Sequence, residues 1–326
     1  GLAHDETSCG EVTMADRRPA VLIVGAGILQ TYLIRQAQAL GLAAVVVDGN
    51  ADAPGMAMAD KAFTISTYNP GQVAAIVPVI QLLYDLKGVV TAGADVAPTV
   101  ALAAETAGVP GIPYGVALCT HDKGTVRAML DKEGLTRYQP AWAHYAYDLP
   151  DPCVLEFPCV FKPRSERASR GVSIVRSVED VSAALEKVQA YGTRFLVEEC
   201  LVGSEHSAEM IFSGDPDHPV VWFNMVDRLF SYTDGLPMEV GHVNPSALDH
   251  DAQVAIYLMM IDAADALGVT WGPFKIDVMQ TKDGPKILEC TARLSGGFDS
   301  QVTSPLTGRY PLALLLHLAC RDAVAL

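Results

Sequence analysis

Short apolar runs alternate with stretches of helical period through the first third of the chain. Ala20 to Val24 is continuously apolar and stops at Gly25-Ala26-Gly27, a helical stretch follows from Ile28 to Leu40, and a second apolar run covers Ala43 to Asp48. Strands buried on both faces read as unbroken hydrophobic runs, so this opening predicts a β-α-β unit. The alternation continues through Ala62 to Ile65, a helix near Gly71 to Asp85, Gly88 to Thr91 and a helix near Ala97 to Ala107. Together these predict an α/β, Rossmann-like parallel sheet with helices on both faces, occupying residues 20–115.

The pattern then changes. Asp122 to Glu133 reads as a helix, and a proline-rich segment leads into a strand at Cys159 to Lys162. A loop from Pro163 to Arg170 returns through Gly171-Val172-Ser173-Ile174-Val175, followed by a helix at Val178 to Ala190 and a strand at Arg194 to Glu199. This is an α+β block over residues 116–198. From Leu201 onward the pattern is mainly antiparallel, with strands at Ser207 to Phe212 and Pro219 to Val226, a helix at Asp249 to Leu267, a hairpin, and a last helix at Leu312 to Val324. Residues 199–326 therefore read as a third lobe.

Charge is concentrated in that hairpin. Folding about Asp283, whose Asp-Gly step signals a turn over Gln280 to Gly284, sets Asp277 opposite Glu289 and Lys275 opposite Thr291. Alternation puts these four residues on one face and Ile276, Val278, Leu288 and Cys290 on the apolar other. Two carboxylates about 5 Å apart repel unless a cation or a proton lies between them. Such an oxygen-rich pair suits Mg²⁺, which keeps waters and takes substrate phosphates as further ligands. A solvated strand face, with Lys275 offsetting the acids, is the plain alternative.

Composition narrows the partners. The chain has 326 residues, 50% of them hydrophobic, with a formal net charge of −15. That argues against nucleic acid or an anionic membrane surface. Seven scattered cysteines (Cys9, Cys119, Cys153, Cys159, Cys200, Cys290, Cys320) contain no Cys-x-x-Cys pair and read as reduced thiols. Residues 1–19 are polar and read as a disordered leader, and the longest apolar stretches fall short of a membrane span. A cytoplasmic protein is expected.

Two nucleotide signals compete. Gly25-x-Gly27 with Asp48 some 20 residues on invites a dinucleotide reading, but Gln30 stands where a third glycine is needed. A structural turn is the alternative. Elsewhere Lys162 closes an apolar strand and Ser169-Arg170-Gly171-Val172 opens the next, so a flexible polar loop lies between them, able to cover phosphates. Lys123 supplies a possible second ammonium, although each lysine alone reads as a surface residue. Val197-Glu198-Glu199-Cys200-Leu201 joins the two later lobes, and Glu205 follows. A lobe junction is a natural cleft.

In this order the parts resemble the ATP-grasp superfamily, from Val21 to the end of the chain. The resemblance implies a two-lobed ATP-grasp domain following the Rossmann-like lobe, with ATP and one or two Mg²⁺ ions as cofactors. Lys123 and Lys162 match its nucleotide lysines, and Ser169, Arg170, Gly171 and Val172 its phosphate-covering loop. Glu198 and Leu201 match the hinge that meets adenine, and Glu205 the ribose-binding acid. Asp277 and Glu289 match its metal carboxylates, and Arg293 the basic residue at the transferring phosphate. Two departures stand out: Glu199 where the hinge often has lysine, and Thr291 where many members have a metal-binding asparagine.

The chemistry so implied is attack of a carboxylate on the γ-phosphate of ATP, giving an acyl phosphate that an amine then displaces. Arg164 to Arg170 is the expected lid. Lys275 either stabilises the oxyanion of amine addition or simply pairs with Asp277 or Glu289. Glu239-Val240-Gly241-His242-Val243-Asn244-Pro245 and Arg293-Leu294-Ser295-Gly296-Gly297-Phe298 resemble the amino-acid-ligase branch. That likeness implies substrate contacts from Glu239 or His242 and from Ser295, Gly296 and Gly297, whose N–H groups would face a carboxylate or acyl oxygen. A homodimer is implied as common among relatives. The absence of a Met-Lys-Met biotin-attachment segment lowers the weight of a carboxylase working through carboxyphosphate. That reaction, a nucleotide-binding protein without turnover, and an NAD-dependent oxidoreductase are the competing readings.

Overall fold

The computed structural model describes residues 17–147, 156–166, 170–233 and 236–321. The expected leader and the end of the expected last helix fall largely outside them. Among the described residues the strands form three sheets. The first is parallel, in the order β3-β2-β1-β4, from β1 (Pro19–Val24), β2 (Ala43–Asp48), β3 (Lys61–Thr64) and β4 (Asp85–Val90). Its central strands are buried on both sides, so each face needs a cover. One face is covered by α2 (Pro70–Leu83) and α3 (Ala97–Ala107), through Val73, Val77, Ile80 and Ala104. The other takes α1 (Ile28–Ala39) together with α9 (Pro311–Ala319), which contributes Leu312, Leu315 and Leu316. The last helix thus returns to the first lobe. A Cβ on Gly88 would lie 2.9 Å from the Cβ of Ala319, so only glycine admits this close approach.

The second sheet is antiparallel, in the order β5-β8-β6-β7, built from β5 (Trp142–Ala146), β6 (Cys159–Pro163), β7 (Ser173–Val175) and β8 (Arg194–Glu199). It is preceded by α4 (Tyr114–His121) and α5 (Lys123–Lys132), the latter capped by Asp122, which accepts from the Thr125 N–H at 2.8 Å. Helix α6 (Val181–Gln189) buries Val181, Ala184 and Val188 against Cys159, Phe161 and Phe195. Neither α4 nor β5 was legible from pattern. The first is short with little amphipathic period, and the second is a partly exposed edge.

The third sheet runs β11-β10-β9-β12-β13, with β9 (Ser204–Ser213), β10 (Val220–Thr233), β11 (Leu236–Val243), β12 (Trp271–Thr281) and β13 (Gly284–Thr291), all antiparallel. Helix α7 (His250–Leu267) packs Ile256, Met259, Met260 and Ala263 onto Ala208, Met210, Phe274, Ile276 and Val278. Alternation then turns Glu205, Ser207, Glu209, Lys275 and Asp277 to the opposite face. The segment holding Glu239 and His242 is strand β11. A π-helical turn at Asp299–Thr303 and α8 (Ser304–Leu306) connect this sheet to α9. No described helix is long and apolar enough to cross a membrane.

The charged hairpin keeps its expected pairing by a different route. Thr281 pairs with Gly284, leaving Lys282 and Asp283 as the turn, and Val278 pairs with Ile287. A bulge then makes Leu288 the extra residue and restores Asp277↔Glu289 and Lys275↔Thr291. Leu288 therefore leaves the apolar face assigned to it. Ile287 fills the core instead, and Leu288 lines the cavity described next.

Candidate active site

A cavity of about 660 Å³ opens between the lobes, with walls from the loop after β4, the start of α5, the ends of β6 and β8, and the polar face of the third sheet. Every site residue expected from sequence lines it except Ser169, which lies outside the described residues, and Gly171. Gly171 instead packs behind the wall, where a Cβ would stand 2.7 Å from Cγ of Pro163.

At one end two lysines meet acids. Lys123, the first residue of α5, places Nζ 3.1 Å from Glu289 Oε1 and donates to the Glu166 carbonyl at 2.5 Å. Lys162 ends β6 with Nζ 2.7 Å from Glu198 Oε2, and it also donates to the carbonyl of Leu288 at 3.2 Å. Glu198 is shared. Arg127, one helical turn beyond Lys123, reaches its Oε1 from Nε at 2.9 Å and its Oε2 from Nη2 at 3.2 Å. Arg127, Glu198 and Lys162 are 1%, 4% and 7% exposed, so this is a buried ion triad carrying a net positive charge. Burial pushes the Glu198 carboxyl up, but Lys162 and Arg127 outweigh it and hold it at about 2. Burial pushes the Lys162 ammonium down to about 8; Glu198 opposes this, and Arg127 and Lys123 add to it. Arg127 was not foreseen. Its signal is a basic residue between Val126 and Leu130 on the buried side of α5. The unusual hinge acid, Glu199, accepts from the Ala141 N–H at 3.1 Å.

Asp277 and Glu289 face each other across β12 and β13, within this same cavity. Lys275 Nζ lies 2.7 Å from Asp277 Oδ1 and Arg228 Nη1 lies 3.5 Å from Oδ2. Burial pushes the Asp277 carboxyl up, yet Lys275 and Arg228 hold it well below the usual carboxylate range. Beside the pair, Thr291 Oγ1 is buried without a hydrogen-bond partner. Among the described residues no three or more His, Cys, Asp or Glu side chains gather around a metal position. Two carboxylates and a hydroxyl leave a cation unsaturated. This donor set fits Mg²⁺ held jointly with waters and phosphate oxygens.

The far end is built by β11 and the segment after β13. His242 Nδ1 lies 2.8 Å from Asp299 Oδ2 and Nε2 lies 3.1 Å from Glu239 Oε1. Burial pushes the imidazole down, but Asp299 and Glu239 raise it to about 9, so it is an imidazolium at neutral pH. The glycine loop presses on this ring; a Cβ on Gly297 would stand 2.2 Å from His242 Cε1. The expectation that this loop offers its N–H groups needs correction. Ser295 N–H donates to buried Glu209, and Gly297 N–H donates to Ser295 Oγ at 3.2 Å. Gly296 is exposed at the wall. Arg293 Nε is 3.5 Å from Asp95 Oδ1, which brings the first lobe to the site. Asp95, Glu209 and Asp299 were missed because only long-range packing gathers them.

The glycine turn of the first lobe is filled by its own chain. Gln30 is buried against Gly25 and Gly27 and donates to the Ala92 carbonyl, filling the space beside both glycines. Asp48 accepts from the Ala26 N–H at 2.8 Å. A structural turn, and not a dinucleotide cradle, is what these residues make.

Comparison with known proteins agrees with this geometry. Residues 155–301 match the ATP-grasp domain family. The chain is 29% identical over 185 residues to formate-dependent phosphoribosylglycinamide formyltransferase of Methanocaldococcus jannaschii, covering 55% of this chain and 46% of that one. It is 25% identical over 187 residues to D-alanine--D-alanine ligase of Phocaeicola vulgatus, covering 54% and 57%. The chain thus spans about half the length of the curated relatives it matches. Among solved structures, L-amino acid ligase from Bacillus licheniformis superposes with a TM-score of 0.77 at 22% identity, covering 94% of this chain and 75% of that one, a likeness of fold. The family match spans Lys162, the hinge and the paired acids just described, so residues 155–301 are an ATP-grasp domain.

Proposed function

We propose that this protein is an ADP-forming, ATP-dependent carboxylate–amine ligase that works through an acyl phosphate on a small substrate, an amino acid or related metabolite, in the cytoplasm. The observation that carries the reading is the pairing of Asp277 with Glu289 in a cavity that also takes in Lys123, Lys162 and Arg293. The names of two similar proteins, D-alanine--D-alanine ligase and L-amino acid ligase, support an amino-acid substrate. In this reading residues 20–115 form the first lobe, 116–198 the small nucleotide lobe and 199–326 the central lobe.

Lys123 and Lys162 hold the polyphosphate, with Arg170 and Val172 covering it, while the hinge from Glu198 to Leu201 borders the base and Glu205 the ribose. Asp277 and Glu289 hold the cation. When bound, Mg²⁺ supplies charge neutralisation at the phosphate oxygens. Arg293 stabilises the γ-phosphate as the substrate carboxylate attacks it, and Lys275, on the same face, neutralises the oxyanion formed as the amine adds. Glu239 and His242 orient the substrate. The test is a phosphate-release screen of amino acids and small acids, singly and in pairs, with mass detection of products. ATP-dependent condensation of a carboxylate with an amine is the expected result. Bicarbonate incorporation without an amine, or ATP hydrolysis indifferent to every carboxylate, overturns the reading.

The low value at Lys162 gives a second check. A nucleotide polyphosphate placed against this ammonium favours its charged form, so ATP binding should take up about half a proton at pH 8 and almost none at pH 6. Calorimetry in buffers of different ionisation enthalpy measures this, and Lys162→Met should abolish it.

A further inference from the structure

Three carboxylates from three strands converge on one guanidinium to which the functional reading gives no task. Arg228 of β10 lies 2.9 Å from Glu205 of β9 and 3.5 Å from Asp277 of β12 through Nη1, and its Nε donates to Glu239 of β11 at 2.7 Å. The strand register fixes this position. Arg228 pairs with His242 and stands two residues from Val226, the partner of Ser207, so it falls on the polar face beside Asp277. Its guanidinium carbon lies 5.0 Å from the centroid of the Phe230 ring, and the side chain is only 17% exposed. Like charges so close need a shared counter-ion, and Arg228 supplies it.

A divalent cation held by Asp277 and Glu289 would draw on the same carboxylate oxygens that now face Nη1. Lys275 already holds Oδ1 of Asp277 at 2.7 Å, so Arg228 and a divalent ion compete for Oδ2, where their like charges repel. We infer that the Arg228 guanidinium and a divalent cation are alternative partners of Asp277, with Glu239 as the acid onto which Arg228 retreats when the cation is bound. Arg228 is thereby a positioning residue that sets the cation affinity and couples it to the substrate end of the cavity. This rests on the reading of Asp277 and Glu289 as cation ligands.

The experiment is a Mg²⁺ titration of the full chain at fixed ADP, following the ADP-dependent rise in Tm, for the wild type, Arg228→Gln, Arg228→Lys and Glu239→Gln. Removing the guanidinium charge should lower the Mg²⁺ midpoint about tenfold, with a lower Tm in Mg²⁺-free buffer. Glu239→Gln, which takes away the retreat, should raise the midpoint. Arg228→Lys keeps one charge but cannot span three acids, so its midpoint should fall between wild type and Arg228→Gln; it also carries the test if Arg228→Gln does not fold. A midpoint in the Arg228 variants equal to or above wild type overturns this inference alone. A wild type whose ADP binding ignores Mg²⁺ overturns it together with the proposed function.

Discussion

Glu289→Ala is expected to lower Mg²⁺-dependent ADP formation by about a thousandfold, the loss associated with removing one preorganised charge-stabilising group from a phosphoryl-transfer site. Stability should hardly change. The Glu289 side chain is 35% exposed and its ion-pair partner is Lys123, so the lost pair is worth at most about 1 kcal/mol. Its strand is held by Ile287 and Cys290 on the opposite face, which the substitution leaves alone. A coupled ADP assay and a thermal melt on the same preparation separate the two effects. Turnover near the wild-type rate in a folded variant would refute the metal assignment.

The opposite balance is expected at Glu198. Glu198→Ala leaves Arg127 and Lys162 buried beside each other with no carboxylate between them, and breaking a buried ion pair in this way costs about 3–5 kcal/mol. The variant should unfold at a clearly lower urea concentration. The pH dependence gives an independent sign. The folded-state value of Glu198, about 2, lies below its ordinary 4.5, so its contribution is present above pH 4.5 and is lost as pH falls towards 2. That acid limb should flatten in Glu198→Ala. Lys162 runs the other way, with a folded value of about 8 against an ordinary 10.5, so stability is gained as pH rises through that interval. Without Glu198 this alkaline gain should begin at lower pH. Unfolding curves from pH 3 to pH 10 test both limbs, and an unchanged urea midpoint would exclude a stabilising triad.

The sequence carries the paired acids legibly because period-two alternation and an Asp-Gly turn are local signals, and both survive in β12 and β13. Even there two errors cancelled: the turn is tighter than expected, and the bulge at Leu288 returns Asp277 to Glu289. The parallel sheet was equally readable, since its two central strands, β1 and β2, are nearly continuous apolar runs. What stayed hidden depends on partners distant in the chain. Arg127 and Glu198 are 71 residues apart, and Glu209 reaches Ser295 across 86. Strand β11 was obscured by Pro237, Gly241 and the Asn244-Pro245 step, which read as turn signals. It forms because β10 offers it an edge.

The return of α9 to the first sheet has a consequence for biosynthesis. Val21, Ile23 and Val46 can be covered early by α1, but Leu312, Leu315 and Leu316 reach them only after both intervening lobes have been synthesised. Until then the nascent chain carries a sticky hydrocarbon surface on its first lobe, the kind of surface that recruits holdase chaperones during translation.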